Sequence, residues 1–313
     1  MGLSRNRIFI TGLVFAGIYA AVGYKLIGLG MQSDDHSDAL DSARAQVSTA
    51  RPDILDRNGE VLATDVKAIS LYAEPKRLVD PEETLEALTS VLPELRDKEF
   101  RARIQTRLNS RAGFVWLKRD ISDEQRKKIF RLGLPGVGFM EENRRFYPGG
   151  ALAGHVLGYV NAENLGVAGM EKAIDRELGL ADLRELGFAG DRGLKPKRLS
   201  LDIRVQHVLR DEMSTAQQRF HAVAAVGIVL DVHTLEVLGM VSLPDYDPNH
   251  PAEAVKADQS TQNRATGGVF EMGSVFKTFN SALALDSGKI QLSDTFDVTP
   301  LQFGSQRIGE FHS

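Results

Sequence analysis

The sequence predicts a mixed α+β chain: a single N-terminal transmembrane helix, then an elongated α+β module, then the first part of an α/β module. Three observations carry this. Ile8 to Tyr24 is an uncharged, mostly apolar run of 17 residues close to the N-terminus. Residues 51 to 160 alternate short strand-like runs with stripes of helical period. From Val223 onward, two apolar runs of strand length form a hairpin, and a glycine-bounded turn later opens a helix.

The anchor comes first. Lys25 follows the apolar run and Leu26 to Met31 extends it, so with the Lys25 stem lying along the apolar surface, residues 8–31 reach the ~20 residues a bilayer crossing needs. Arg5 and Arg7 precede it, while Asp34, Asp35 and Asp38 follow. This asymmetry places residues 1–7 in the cytoplasm and the bulk of the chain outside. A cleaved signal peptide fits less well, because no small-x-small cleavage site follows. Gly12, Ala16 and Ala20 recur every four residues and form a stripe that lets another helix approach, although membrane helices are rich in small residues anyway.

Residues 32–50 are polar and read as a juxtamembrane linker. Ile54-Leu55, the turn Asp56-Arg57-Asn58-Gly59 and Val61 to Ala63 read as a hairpin, since Asn-Gly supplies a left-handed backbone cheaply. Ile69 to Ala73 reads as a strand. Pro81 to Leu95 reads as one helix, with Leu85, Leu88 and Leu92 on one face. Phe100, Ile104 and Leu108 mark a second helix, Phe114 to Leu117 a strand, and Ser122 to Leu132 a third helix with Ser122 and Gln125 in capping-box spacing. Within it, Arg126-Lys127-Lys128 reads as a solvated face. Gly133 to Gly138 ends it, Arg145 to Gly150 is a turn, and Ala151 to Val160 is a helix or strand. Residues 161 to 200 read as an irregular connection. A helix from Ile203 to Phe220 precedes the hairpin of Val223–Leu230 and Glu236–Val241, whose runs are apolar on both faces.

Composition narrows the chemistry. The chain has 313 residues, 42% hydrophobic and 26% charged, enough for two modules beyond an anchor. A formal net charge of −4 gives no bulk attraction to nucleic acid. The absence of cysteine excludes disulfides, thiolate zinc sites and a cysteine nucleophile. The seven histidines form no His-x-x-x-His pair, so neither a metal nor a cofactor is expected.

The stretch that carries chemistry is Phe270-Glu-Met-Gly-Ser274-Val-Phe-Lys277, read as a turn entering a helix that ends near Gly288. Residues three apart share a helix face, so the Lys277 amine can reach the Ser274 hydroxyl. A serine is a weak nucleophile until a neighbouring base takes its proton. Its place at a helix N-terminus also favours developing negative charge. Ser-x-x-Lys alone is common by chance, and context decides.

The chain resembles class B penicillin-binding proteins over nearly its whole length. The resemblance rests on Arg51-Pro-Asp-Ile-Leu-Asp56-Arg57-Asn58-Gly59, on Arg145-Phe-Tyr147-Pro148-Gly149 running to Gly158-Tyr159-Val160, and on Gly166-Val-Ala-Gly169-Met-Glu171. It continues through Leu201-Asp202 with Gln206, the hairpin to Leu243-Pro244, and Asn263-Arg264 ahead of Ser274. It implies a pedestal, or dimerisation-type, domain over 51–200 and an incomplete transpeptidase α/β domain over 201–313. Ser274 would be the nucleophile toward the D-Ala-D-Ala bond of peptidoglycan stem peptides and Lys277 its general base. β-Lactams would acylate the same serine, and no cofactor would be needed. Implied too are the bacterial inner membrane as location, a polytopic glycosyltransferase and other division proteins as partners through the anchor and pedestal, and no nucleic acid. Arg57, Arg145 and Glu171 are expected to be packing or salt-bridge residues.

The chain departs from the pattern in two ways. Met272 stands where many relatives carry proline. No Ser-x-Asn and no Lys-Thr-Gly follow Lys277, so the chain reads as truncated and inactive by itself. The short loops and residues 164–175 look more like the septal type than the elongation type. A non-catalytic, membrane-anchored scaffold for division proteins is the reading from another class.

Overall fold

Residues 61–73 set the frame of the first module. In the computed structural model, which describes residues 15–27, 50–109, 112–179, 194–256 and 262–309, they form one long strand. It begins at a hairpin: β1 (Ile54–Leu55) pairs antiparallel with β2 (Val61–Ala73), with Ile54 opposite Ala63. The turn between them is closed by the Asp56 carboxylate, which accepts the amide N–H groups of Asn58 at 2.7 Å and Glu60 at 2.9 Å. Gly59 supplies the positive φ of 96° that the Asn-Gly pair predicts. The strand read from the sequence at Ile69–Ala73 is thus the far end of a longer one.

Three helices flank this sheet. Asp80 caps α1 (Pro81–Thr89), accepting from Glu82 and Glu83, and Asp97 caps α2 (Lys98–Leu108). The single helix expected over 81–95 is broken, because Pro93 cannot continue it and opens a 3-10 turn at Pro93–Arg96. Its apolar stripe survives the break: Leu85, Leu88, Leu92 and Leu95 are all buried, against Leu71, Val115 and Leu117 of the sheet. β3 (Val115–Ile121) lines one edge of β2, and α3 (Asp123–Arg131) follows with both bonds of the Ser122–Gln125 capping box formed.

The other edge of β2 is occupied by β4 (Val137–Phe146), in unbroken antiparallel register from Thr64 opposite Phe146 to Ala73 opposite Val137. The sequence reading missed this strand. Its run of Glu141, Glu142, Asn143, Arg144 and Arg145 hides the alternation, and the charges on it find partners only in the folded chain. The expected helix or strand over 151–160 is a 3-10 turn (Gly150–Ala153) leading into the one-turn helix α4 (Gly154–Leu157). The expected irregular connection contains α5 (Gly169–Leu178), a further correction; residues 180–193 lie outside the described set.

A second core gathers Ile54, Leu62, Tyr147, Leu157, Ile174 and Leu201. Here β5 (Lys197–Arg198) runs parallel to β1 and leads to α6 (Ile203–Arg219), capped by Asp202. α6 packs on the antiparallel pair β6 (Ala225–Leu230) and β7 (Val237–Leu243). The chain divides into two compact units, residues 1–266 and 267–313. The second holds the helix α7 (Lys277–Asp286) and the small hairpin β8 (Leu301–Phe303) with β9 (Gln306–Ile308).

Of the expected transmembrane segment, residues 15–27 are described and are helical, while 8–14 and 28–31 lie outside the described residues. Among the described residues, no helix is long and apolar enough to cross a membrane.

Candidate functional site

Ser274 sits in the 3-10 turn Gly273–Phe276, and Lys277 is the first residue of α7. The Lys277 amide N–H donates to the Ser274 carbonyl, closing the turn. In a 3-10 turn, side chains at i and i+3 eclipse, so serine and lysine rise on one side of the backbone. The sequence placed Ser274 at the N-terminus of a regular helix; the structure places it one turn earlier. Gly288, with φ of 67°, receives the end of α7 as the sequence reading expects.

Neither side chain is sheltered. Ser274 and Lys277 are both exposed, and no hydrogen bond joins the hydroxyl to the amine among the described residues. Phe276 and Phe279 touch each other at 5.6 Å between ring centroids, yet stay 57% and 64% exposed, and Leu283 is 71% exposed. The turn thus has its backbone geometry while both side chains stay open to solvent.

In the first unit, charge is buried instead. Both oxygens of Glu171, itself fully buried, are committed: one accepts from Arg145 Nε at 2.6 Å, the other pairs with the Arg51 guanidinium at 2.7 Å. Arg51 also meets Asp175 at 2.5 Å and donates to the carbonyls of Asn164 and Glu171. Arg145 reaches Asp65 at 3.2 Å and the carbonyl of Pro52. Burial works against the charge on Arg51, but Glu171 and Asp175 outweigh it and raise its pKa. Burial, reinforced by Glu171, pushes the Tyr147 phenol upward beside this cluster. Arg145 and Glu171 thus take the salt-bridge role the sequence suggested, whereas Arg57 makes only a half-exposed pair with Glu236 at 3.3 Å. The individual roles of Asp65, Asn164 and Asp175 were not read from the sequence, because partners such as Asn164 and Asp65, 99 residues apart, leave no spacing signal.

Residues 51–60 and 147–159 are tied to α6 and β7 by buried polar groups. Asp56 accepts from the Ile203 amide at 3.2 Å, and Asn58 bridges Asp56 and Asp202. Burial alone would raise the Asp56 carboxyl, but the N–H groups of Glu60, Ile203 and Asn58 prevail and hold it below the usual range. Gln206, 1% exposed, donates to the carbonyls of Leu152 and Met240 and accepts from the Met240 amide, each at 2.8 Å. Tyr246 donates to the Gly154 carbonyl at 3.1 Å, and burial pushes its phenol up to about 12. Asn249 bonds both backbone groups of Tyr147 at 3.0 Å.

A sheet-and-helix module clasped to a helix-covered hairpin, with a Ser-x-x-Lys turn beyond, defines a recognisable class. Residues 46–181 match the penicillin-binding protein dimerisation domain and residues 225–313 the penicillin binding protein transpeptidase domain, and the chain belongs to the penicillin-binding proteins that join these two. It is 36% identical to the probable peptidoglycan D,D-transpeptidase FtsI of Caulobacter vibrioides, over 99% of this chain and 50% of that protein. It is 30% identical to the peptidoglycan D,D-transpeptidase FtsI of Escherichia coli K12, over 84% of this chain and 47% of that one. The chain spans about half the length of these curated relatives. Among solved structures, a peptidoglycan synthetase from Bifidobacterium adolescentis shares the fold, with a TM-score of 0.51 and 20% identity over 85% of this chain and 55% of that one.

Proposed function

We propose that this chain supplies the membrane anchor, the pedestal and the nucleophile of a septal peptidoglycan D,D-transpeptidase. The observation that carries the reading is the turn in which the Lys277 N–H closes on the Ser274 carbonyl, inside a stretch matching the transpeptidase domain. The Ser274 Oγ attacks the carbonyl of the penultimate D-Ala while Lys277 takes the hydroxyl proton. The peptide bond breaks, terminal D-Ala leaves with a proton, and an ester on Ser274 remains. An amine from a neighbouring strand then attacks the ester, frees Ser274 and completes the cross-link. A β-lactam acylates the same oxygen by opening its ring.

The layout follows the sequence reading: anchor at 8–31 with the N-terminus in the cytoplasm, linker at 32–50, pedestal at 51–200, transpeptidase portion from 201. In support of the anchor, helix 15–27 carries a stripe of exposed apolar side chains, among them Phe15, Ile18, Val22 and Leu26. The bulk of the chain faces the periplasm; the anchor within the membrane and the pedestal outside it meet a glycosyltransferase and other division proteins. The FtsI relatives favour the septal role over elongation.

Labelling with a fluorescent penicillin tests this on three proteins: this chain, a chain continued to the length of its relatives, and the continued chain with Ser274→Ala. The expected result is a labelled band from the continued wild-type chain alone. An unlabelled continued chain would sink the transpeptidase reading and leave a scaffold. Depletion in cells separates the roles: filaments mark division, round cells elongation.

A further inference from the structure

The basic run on α3 borders an apolar surface that the acyl-transfer reading leaves unused. Phe130 projects from this helix and is 76% exposed. A hollow of about 480 Å³ lies on one side of it, lined by Asp123, Arg126, Lys127, Phe130, Arg131 and Phe139. A smaller hollow of about 130 Å³ lies on the other, along Ile129, Leu134 and Val137. Phe130 is therefore a ridge between two depressions, and Phe139 lines both.

The charge around the ridge is one-sided. Glu124 is engaged by Lys128 at 2.7 Å, which leaves Asp123 as the acid lining the larger hollow. Arg126, Lys127 and Arg131 have no ion pair among the described residues, and the Arg126 guanidinium rests 5.9 Å from the Phe139 ring centroid. The sequence alone reads Arg126-Lys127-Lys128 as a solvated face. In the fold, two of these cations rim an apolar groove.

We propose that this groove docks an acidic amphipathic helix of a partner protein. Apolar side chains one turn apart on such a helix would straddle Phe130 and enter the two hollows, while flanking carboxylates would meet Arg126, Lys127 and Arg131. A second copy of the chain fits poorly, since two-fold apposition of this face sets three cations against three. A flat anionic bilayer would take up Phe130 but leave both hollows unfilled. The proposal deepens the pedestal part of the function above and does not depend on acyl transfer, so penicillin labelling and groove binding can fail separately.

The test is a titration of the detergent-solubilised chain into a fluorescent helical peptide, about 16 residues long, with leucine along one face and glutamate elsewhere, read by anisotropy. Saturable binding is expected, weakened about tenfold or more by Phe130→Ala and by the triple change Arg126→Glu, Lys127→Glu, Arg131→Glu. Phe130→Leu should retain most of it, and circular dichroism should show all variants folded, since each site lies on the surface. A peptide with lysine in place of glutamate should not bind. Absence of saturable binding, or equal binding by all variants, would overturn the proposal. So would self-association in sedimentation, or uptake on anionic vesicles, that Phe130→Ala abolishes and the peptide does not compete.

Discussion

Glu171 illustrates how much of this fold rests on single buried charges. With both its oxygens given to guanidinium groups, Glu171→Ala would leave Arg51 and Arg145 inside the protein with less counter-charge. Breaking a buried pair from one side costs about 3–5 kcal/mol, so the urea midpoint should fall by that equivalent; a change under about 1 kcal/mol would mean that water reaches the cluster. Gln206 makes a parallel case without charge. Gln206→Ala strips partners from the carbonyls of Leu152 and Met240 and from the Met240 amide. Each buried group left unsatisfied costs about 1–3 kcal/mol, which should appear as a lowered thermal midpoint. Asp56 adds a pH dependence. Folding lowers its pKa, so its contribution is complete above the ordinary carboxylate value of about 4 and is lost as pH falls through the lower folded value. The thermal midpoint of the wild type should therefore drop more steeply between about pH 5 and pH 3 than that of Asp56→Asn.

At the scale of elements, the sequence was legible where apolar period and capping chemistry agree. The Ser122–Gln125 box marked α3, Asn58-Gly59 marked the first hairpin, and Asp202 opened α6. It was opaque where buried residues are charged. β4 carries Glu142 and Arg145 inward, and α5 buries Glu171 beside Ile174, so both look like surface in one dimension. α5 also starts without a side-chain cap, at Gly169 with φ of 58°. Gly158 holds the entry to this region with φ of 73° and ψ of −152°, a combination close to exclusive to glycine. A Cβ there would lie 1.9 Å from the Ala168 carbonyl oxygen. Gly158→Ala should cost at least about 3 kcal/mol or prevent folding; a soluble variant with an unchanged midpoint would contradict the backbone assignment. α7, by contrast, spans only Lys277–Asp286 and keeps its large apolar side chains exposed. Helices this short are marginal without tertiary packing, so its amides should exchange far faster than those of α1 or α6 in the same chain.

Across the whole molecule, two kinds of site occupy different units. The buried polar ties of Asp56, Gln206 and Tyr246 belong to residues 1–266, and the Ser-x-x-Lys turn to residues 267–313. The candidate site was legible as two residues, Ser274 and Lys277, because their spacing and surrounding motifs sit in the sequence. The groove beside Phe130 was not, since only the fold brings α3 and β4 together. The Oγ of Ser274 is the atom expected to be acylated. Intact mass followed by peptide mapping tests this most directly, after exposing the chain continued to its relatives' length to a penicillin. One added penicilloyl group is expected, located on the peptide containing Ser274 and absent from Ser274→Ala. An adduct on any other residue, or the same mass gain in Ser274→Ala, would contradict this assignment.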